Sequence, residues 1–137
     1  MAIKVVFWSG TGNTEEMADL VAQGIKDAGQ EVELLNAEDV SADDLADETV
    51  LALGCPAMGD EELEDSMEEI FSNLDLSGKK LALFGSYSWN EGEWMEIWKN
   101  RATEGGAEIV AVATAYEAPE GDSADACVEL GKALAQA

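Results

Sequence analysis

Five short apolar runs alternate with helical patterns along the whole chain, and this alternation limits the possible folds more than any other feature. The runs cover residues 3–8, 32–36, 50–53, 80–84 and 109–113. Between them, apolar residues recur at the three- and four-residue spacing of one helical face. A strand–helix alternation of this kind favours a parallel sheet with right-handed crossovers and helices on both faces. We therefore predict a three-layer α/β sandwich.

Local signals mark the ends of several helices. Asn13 and Glu16 have the spacing of a capping pair for the first helix, and Gly29 is placed to stop it. A short acidic helix is expected over residues 41–46. With no internal repeat, linker or low-complexity tract, the 137 residues predict a single domain spanning 1–137.

The net charge of the chain limits the classes of partner that it can bind. Thirty acidic residues against seven basic ones give a formal net charge of −23, whereas 47% of residues are hydrophobic and predict a folded core. Seven scattered bases cannot neutralise a run of phosphates, which excludes nucleic acid, and an anionic membrane would repel the chain. The N-terminal apolar run is too short for a signal sequence, and no segment approaches the ~20 apolar residues of a membrane span. We expect a cytoplasmic monomer whose partners carry basic docking patches.

The chain contains no histidine. A Ser–His–Asp triad, a Cys–His dyad and a His-ligated zinc site are therefore excluded. Cys55 and Cys127 lie far apart in sequence and form no CxxC motif, which does not favour a metal centre or a secreted disulfide scaffold. We expect reduced thiols with no catalytic role, and no metal site.

A loop rich in glycine and hydroxyl residues follows the first strand: Ser9, Gly10, Thr11, Gly12, Asn13 and Thr14. Glycines let backbone amides crowd around an anion, hydroxyls donate further hydrogen bonds, and the following helix contributes its dipole. The loop lacks the lysine of a triphosphate loop, and Glu15 stands where a dinucleotide loop needs a third glycine. This phosphate loop therefore predicts a terminal monophosphate held by neutral donors, the alternative being a plain turn.

Two further loops follow the third and fourth strands, where ligands bind to parallel sheets. The second loop, residues 54–61, reads Gly-Cys-Pro-Ala-Met-Gly-Asp-Glu, and the third loop, residues 84–94, reads Phe-Gly-Ser-Tyr-Ser-Trp-Asn-Glu-Gly-Glu-Trp. With the phosphate loop and Trp8 before it, they resemble the three flavin loops of the flavodoxins, in particular the short-chain flavodoxins of anaerobic bacteria. The resemblance covers nearly the whole chain. It implies the flavodoxin-like sandwich, with a five-stranded parallel sheet in the order 2-1-3-4-5, and bound FMN.

The same resemblance implies a set of cofactor-binding residues: Trp8, Ser9, Gly10, Thr11, Gly12, Asn13, Thr14, Cys55, Pro56, Ala57, Met58, Gly59, Asp60, Glu61, Ser86, Tyr87, Ser88 and Trp89. By the same resemblance, Trp89 is expected to stack on the outer face of the flavin ring, and Met58 is expected to lie against the inner face. The Gly59–Asp60 peptide turns over on reduction, which glycine permits, so that its carbonyl accepts a hydrogen bond from the semiquinone N5. Glu61 accepts one from the flavin N3. The amides near Ser88 and Trp89 donate to the pyrimidine oxygen of the flavin. Ser88 and Asn90 replace glycines of related sequences.

The function implied by the resemblance is a low-potential one-electron carrier that shuttles between semiquinone and hydroquinone among redox enzymes. A cluster of acids would disfavour the anionic hydroquinone and suit basic redox partners: Asp60, Glu61, Glu62, Glu64, Asp65, Glu68 and Glu69. An NAD(P)H-dependent flavin or quinone reductase on the same fold is the alternative, although Arg101 is the sole arginine and offers no basic cluster.

Two other classes that share parts of this pattern are excluded. A receiver-type signalling domain needs acids after strands one and three and a lysine after strand five, where this chain has Ser9, Cys55 and Ala115. A cysteine phosphatase needs an arginine six residues after Cys55, where Glu61 stands. The resemblance to the flavodoxins therefore implies an electron-transfer protein and not an enzyme.

Overall fold

The computed structural model describes residues 2–10, 12–56, 63–87 and 93–137. The strands are β1 (Ile3–Phe7), β2 (Val32–Asn36), β3 (Val50–Gly54), β4 (Lys80–Tyr87) and β5 (Glu108–Tyr116). The α-helices are α1 (Asn13–Asp27), α2 (Asp65–Asn73), α3 (Glu93–Glu104) and α4 (Asp122–Ala135), and two 3-10 turns, Ala37–Asp39 and Asp43–Leu45, follow β2.

The strands form one parallel sheet in the order β2-β1-β3-β4-β5, so the predicted fold class and strand order are both confirmed. Because all neighbouring strands are parallel, their carboxyl ends meet at one edge. The strand order reverses at β1: β2 is added on one side of β1, and β3, β4 and β5 follow on the other side. In sheets of this kind a crevice opens at that reversal, beyond the carboxyl ends of the strands.

The last two strands run further than their apolar runs predict. β4 continues to Tyr87 and β5 to Tyr116, because Gly85 pairs with Thr114 and Ser86 with Ala115. Glycine and hydroxyl residues are typical of turns, so the local sequence gives no sign of this added pairing. As a result, Ser86 lies on a strand of the central sheet.

Two local helix predictions differ from the structure: the cap of the first helix was wrong, and the short acidic helix forms as a 3-10 helix, Asp43–Leu45. The helix α1 begins at Asn13 itself, and Gly12 occupies the N-cap position with φ 97° and no side-chain cap, so Asn13 and Glu16 do not form a capping pair. The expected acidic helix over residues 41–46 is one 3-10 turn. Gly29, with φ 90°, ends the helical segment as predicted.

The helices on one face of the sheet, α1 and α4, touch backbone to backbone. A Cβ atom added to Gly24 would lie 2.0 Å from the Val128 carbonyl oxygen, and one added to Gly131 would lie 2.1 Å from the Val21 carbonyl oxygen. On the opposite face, α2 and α3 are joined through side chains and not by close backbone approach. The two cores therefore differ in kind, one closed by glycine contacts and the other by large side chains.

None of the helices in the described ranges is both long and apolar enough to cross a membrane. Nor do those ranges bring together three or more His, Cys, Asp or Glu side chains in a group that could hold a metal ion.

Candidate functional site

The phosphate loop joins the carboxyl end of β1 to the N-terminus of α1. Its start is fixed to the neighbouring strand, because the Trp8 amide donates to the Gly54 carbonyl at 3.0 Å. Within the loop, the Gly12 amide donates to Ser9 Oγ at 3.0 Å. The left-handed conformation of Gly12 turns the chain into α1, whose first-turn amides have no acceptor within the helix. A helix end of this kind, beside the strand-order reversal, is suited to an anion.

Thr14 brings a buried hydroxyl to this helix end. The residue is only 1% exposed, and its Oγ1 lies 3.3 Å from the Oγ of Ser86, which is 5% exposed. The phosphate loop and the end of β4 therefore meet through two hydroxyl groups that are distant in sequence. Hydroxyls and helix-end amides are neutral donors suited to a phosphate group, so the residues present fit the monophosphate that the sequence predicts.

Trp8 folds over the phosphate loop. A Cβ atom on Gly10 would lie 2.9 Å from a ring carbon of Trp8, so a larger residue at position 10 would displace the indole. The Trp8 side chain also packs against the core on the α2–α3 face. Gly10 is therefore needed for the close approach of the Trp8 ring to the loop backbone.

The second loop begins in direct backbone contact with β4. The Cys55 amide donates to the Phe84 carbonyl at 3.2 Å, and a Cβ atom on Gly85 would lie 2.0 Å from the Cys55 carbonyl oxygen. Burial raises the pKa of the Cys55 thiol to about 12, although a hydrogen bond from the Glu64 amide opposes the shift. The thiol is therefore protonated at neutral pH and is a poor nucleophile.

This buried thiol makes stability fall at alkaline pH. Its pKa is raised in the folded state, so between its ordinary pKa near 9 and about 12 the unfolded chain loses a proton that the folded chain retains. We expect the free energy of unfolding of the natural sequence to fall faster above pH 9 than that of Cys55→Ala, by up to about 1.4 kcal/mol per pH unit. Denaturant titrations between pH 7.5 and 10.5 measure this. Parallel curves for the two proteins would contradict the assignment.

Tyr87, the last residue of β4 and part of the third loop, packs against two further aromatic residues. Its ring centroid lies 6.0 Å from that of Trp94 and 5.6 Å from that of Tyr116, the latter in an edge arrangement. Tyr116 is 60% exposed, and the next residue, Glu117, has φ 57° and donates its amide to the Tyr87 carbonyl at 2.7 Å. Sequence reasoning missed Tyr116 and Glu117, although an aromatic–acid pair just beyond an apolar run was a usable signal.

Several predicted site residues lie outside the described residues: Thr11, Ala57, Met58, Gly59, Asp60, Glu61, Ser88 and Trp89. Asn90 and Glu62 lie outside them as well. The roles assigned to these residues stay predictions. Those that the structure describes, Trp8 to Gly10, Gly12 to Thr14, Cys55, Pro56, Ser86 and Tyr87, all lie at the carboxyl edge of β1, β3 and β4.

The acidic cluster is less uniform than its sequence indicates. Glu68 forms two hydrogen bonds to Arg101, of 2.8 and 2.7 Å, and this pairing lowers the pKa of its carboxyl group. Glu64 is buried and caps α2 by accepting the Met67 amide at 3.1 Å. Asp65 and Glu69 are exposed. Arg101 therefore offsets the charge of Glu68, which the sequence analysis placed among the acids opposing the anionic hydroquinone.

Comparison with known proteins agrees with this arrangement. The family model described as Flavodoxin matches residues 5–131. The chain belongs to the flavodoxin family. It is 50% identical to the flavodoxin of Megasphaera elsdenii over 98% of this chain and 99% of that one. It is 44% identical to the flavodoxin of Clostridium beijerinckii over 97% of this chain and 99% of the relative.

A solved structure shows the same likeness in three dimensions. The solution structure of two-electron reduced Megasphaera elsdenii flavodoxin has a TM-score of 0.90 to this chain and covers 98% of it. The resemblance to short-chain flavodoxins of anaerobic bacteria is thus confirmed. Flavodoxins bind FMN and transfer electrons to and from redox partner proteins, and this protein is therefore an FMN-binding electron-transfer protein and not an enzyme.

Proposed function

We propose that this flavodoxin is a low-potential one-electron carrier, cycling mainly between the semiquinone and the hydroquinone of FMN. The observation that carries the proposal is the buried hydroxyl pair of Thr14 and Ser86 at the N-terminus of α1. It lies at the carboxyl ends of β1 and β4, beside the strand-order reversal. If the phosphate group of FMN binds there, the ring system of FMN would extend along the same edge of the sheet, towards the second and third loops.

The proposed FMN site keeps the residues that the sequence indicates. Ser9, Gly12 and Thr14, with the first-turn amides of α1, would hold the phosphate group. Met58 and Trp89 would flank the ring, and the rest of the second and third loops would close around it. When bound, FMN supplies the redox-active ring; the chain fixes its position, keeps water from its faces and hydrogen-bonds its edge.

The charge of the chain supports the low potential. An electron added to the bound ring enters a protein of net charge −23, and this field opposes formation of an anion. For a one-electron couple, each tenfold weakening of binding in the reduced form lowers the potential by ~59 mV. Because salt screens exposed charges, the second potential should rise with ionic strength.

The proposed setting is a single domain over residues 1–137 that works as a monomer in the cytoplasm. The two cysteines are free and buried, which suits a reducing compartment. The acidic surface supports redox partners with basic docking patches, whose association rate would fall as salt is added. The reductase alternative finds no support, because the sole arginine, Arg101, is engaged by Glu68.

An anaerobic reductive titration of the FMN-loaded protein, followed by visible absorbance, tests the proposal. We expect a stable species with broad long-wavelength absorbance at half reduction, which marks a neutral semiquinone, and then slow bleaching at a much lower potential. Direct bleaching accompanied by steady NADH consumption would support the reductase. A chain that fails to bind added FMN would overturn both functions.

A further inference from the structure

Ser86 lies on the face of the sheet that α1 covers. Side chains alternate along a strand, so Ser86 shares the face of Phe84, which is buried in the core beneath α1 and α4. The backbone of Ser86 pairs with Ala115 of β5. At the preceding residue, Gly85, an added Cβ atom would lie 2.0 Å from the Cys55 carbonyl oxygen, so β4 is in close contact with the second loop as well. The sheet therefore presents the Ser86 hydroxyl to α1 from a fixed position.

The partner of this hydroxyl is Thr14, in the first turn of α1. The Ser86 Oγ and Thr14 Oγ1 atoms lie 3.3 Å apart, and the two residues are only 5% and 1% exposed. Among the residues that the structure describes, no other serine or threonine is buried. Bulk water therefore competes little for either hydroxyl group, and each depends on the other or on a bound ligand for its hydrogen bonds.

The number of hydrogen atoms limits what the pair can do. A hydroxyl has one hydrogen, so one member of the pair donates to the other, and the second keeps its own hydrogen for a different acceptor. A charged acceptor forms a hydrogen bond about twice as strong as a neutral one does. In the proposed function, on which this inference rests, the phosphate group of FMN binds at the N-terminus of α1. With an anion there, Thr14 donates to it and accepts from Ser86.

We propose that Ser86 is a positioning residue for the phosphate group of FMN and does not bind that group itself. Ser86 donates to Thr14 Oγ1, which turns the Thr14 hydrogen away from β4 and towards the N-terminus of α1. Accepting this bond also makes the Thr14 hydroxyl a stronger donor, because successive hydrogen bonds polarise one another. A strand of the central sheet thus sets the direction of a donor that belongs to the phosphate loop.

A double-mutant cycle on Ser86 and Thr14 tests the proposal. The dissociation constants of FMN and of riboflavin, which lacks the phosphate, are measured by quenching of flavin fluorescence on titration with apoprotein. We expect Ser86→Ala to weaken FMN binding about fivefold, since a hydrogen bond between neutral groups is worth about 1 kcal/mol, and to leave riboflavin binding unchanged. In a Thr14→Val background, Ser86→Ala should have no further effect on either ligand, because the hydroxyl through which it acts is gone.

Unfolding free energies of the four apoproteins in the cycle give a second measurement. Thr14→Val leaves the Ser86 hydroxyl buried without its partner, which costs stability, so adding Ser86→Ala should restore part of that loss. A double variant less stable than Thr14→Val alone would contradict the pairing. Ser77→Ala is the matched control, because Ser77 is exposed and precedes the opposite end of the same strand; it should change neither affinity.

The outcomes separate the possible roles of Ser86. A fivefold effect of Ser86→Ala in both backgrounds would show that Ser86 binds the phosphate directly, and this would overturn the inference. Equal weakening of FMN and riboflavin by Ser86→Ala would assign Ser86 to the ring and overturn it too. If the natural apoprotein binds neither flavin, the proposed function itself fails. If it binds both, and Ser86→Ala binds FMN normally, only the positioning role fails.

Discussion

Replacing Gly131 with alanine should lower the free energy of unfolding by about 3 kcal/mol, although alanine is the better helix former. The added Cβ would lie 2.1 Å from the Val21 carbonyl oxygen, which belongs to the backbone of α1 and cannot rotate away. Gly24→Ala should act similarly, because its Cβ would lie 2.0 Å from the Val128 carbonyl oxygen. In both variants α1 and α4 must move apart, which opens the core between them. Denaturant unfolding of the FMN-loaded proteins measures the loss.

Ala126→Gly provides the matched control, since Ala126 is exposed on the same helix, α4. That change should cost about 1 kcal/mol, the ordinary difference between the two residues in a helix. A Gly131→Ala variant as stable as the natural chain, or more stable, would show that the two helices are not in backbone contact.

The second large effect is expected at the phosphate end of the site. Thr14→Val keeps the shape of the side chain and removes its hydroxyl group. If Thr14 donates to the phosphate of FMN, the dissociation constant of FMN should rise about thirtyfold, because a hydrogen bond to a charged group is worth about 2 kcal/mol. Riboflavin should bind as before. Fluorescence titration of the apoprotein with both flavins gives the comparison.

Thr103→Val makes the same substitution on α3, where the hydroxyl only donates to the Lys99 carbonyl, and should leave both affinities unchanged. Equal weakening of FMN and riboflavin by Thr14→Val would assign Thr14 to the ring and not to the phosphate. Because Thr14→Val is expected to weaken FMN and not riboflavin, the comparison separates a phosphate end of the site from a ring end.

The fold follows from local signals to a large extent. The apolar run 50–53 coincides with β3, whose residues 51–54 are all buried, since burial on both faces requires continuous apolar sequence. The strand order came from the family resemblance of the loops and not from the runs themselves. The additional pairing at Ser86 and Tyr87 could not be read from the sequence, because it depends on partners in β5.

The site was predictable where one segment carries the chemistry. The phosphate loop shows its glycines and hydroxyls within six residues, so Thr14 could be selected from sequence. Its contact with Ser86 could not, and neither could the pairing of Glu68 with Arg101, because these partners are brought together only by the packed sheet. Glu68 therefore appeared to be one more free acid. Sequence reasoning found the donors and missed their partners.

The contact of Gly24 with the α4 backbone also orders events during synthesis. The helix α1 (Asn13–Asp27) is translated well before α4 (Asp122–Ala135), which supplies the surface that completes its packing. At typical translation rates, α1 would wait on the order of ten seconds for α4 to leave the ribosome. Throughout that time the face of α1 around Gly24 stays uncovered. The nascent chain is thus most exposed to misassociation just before α4 emerges.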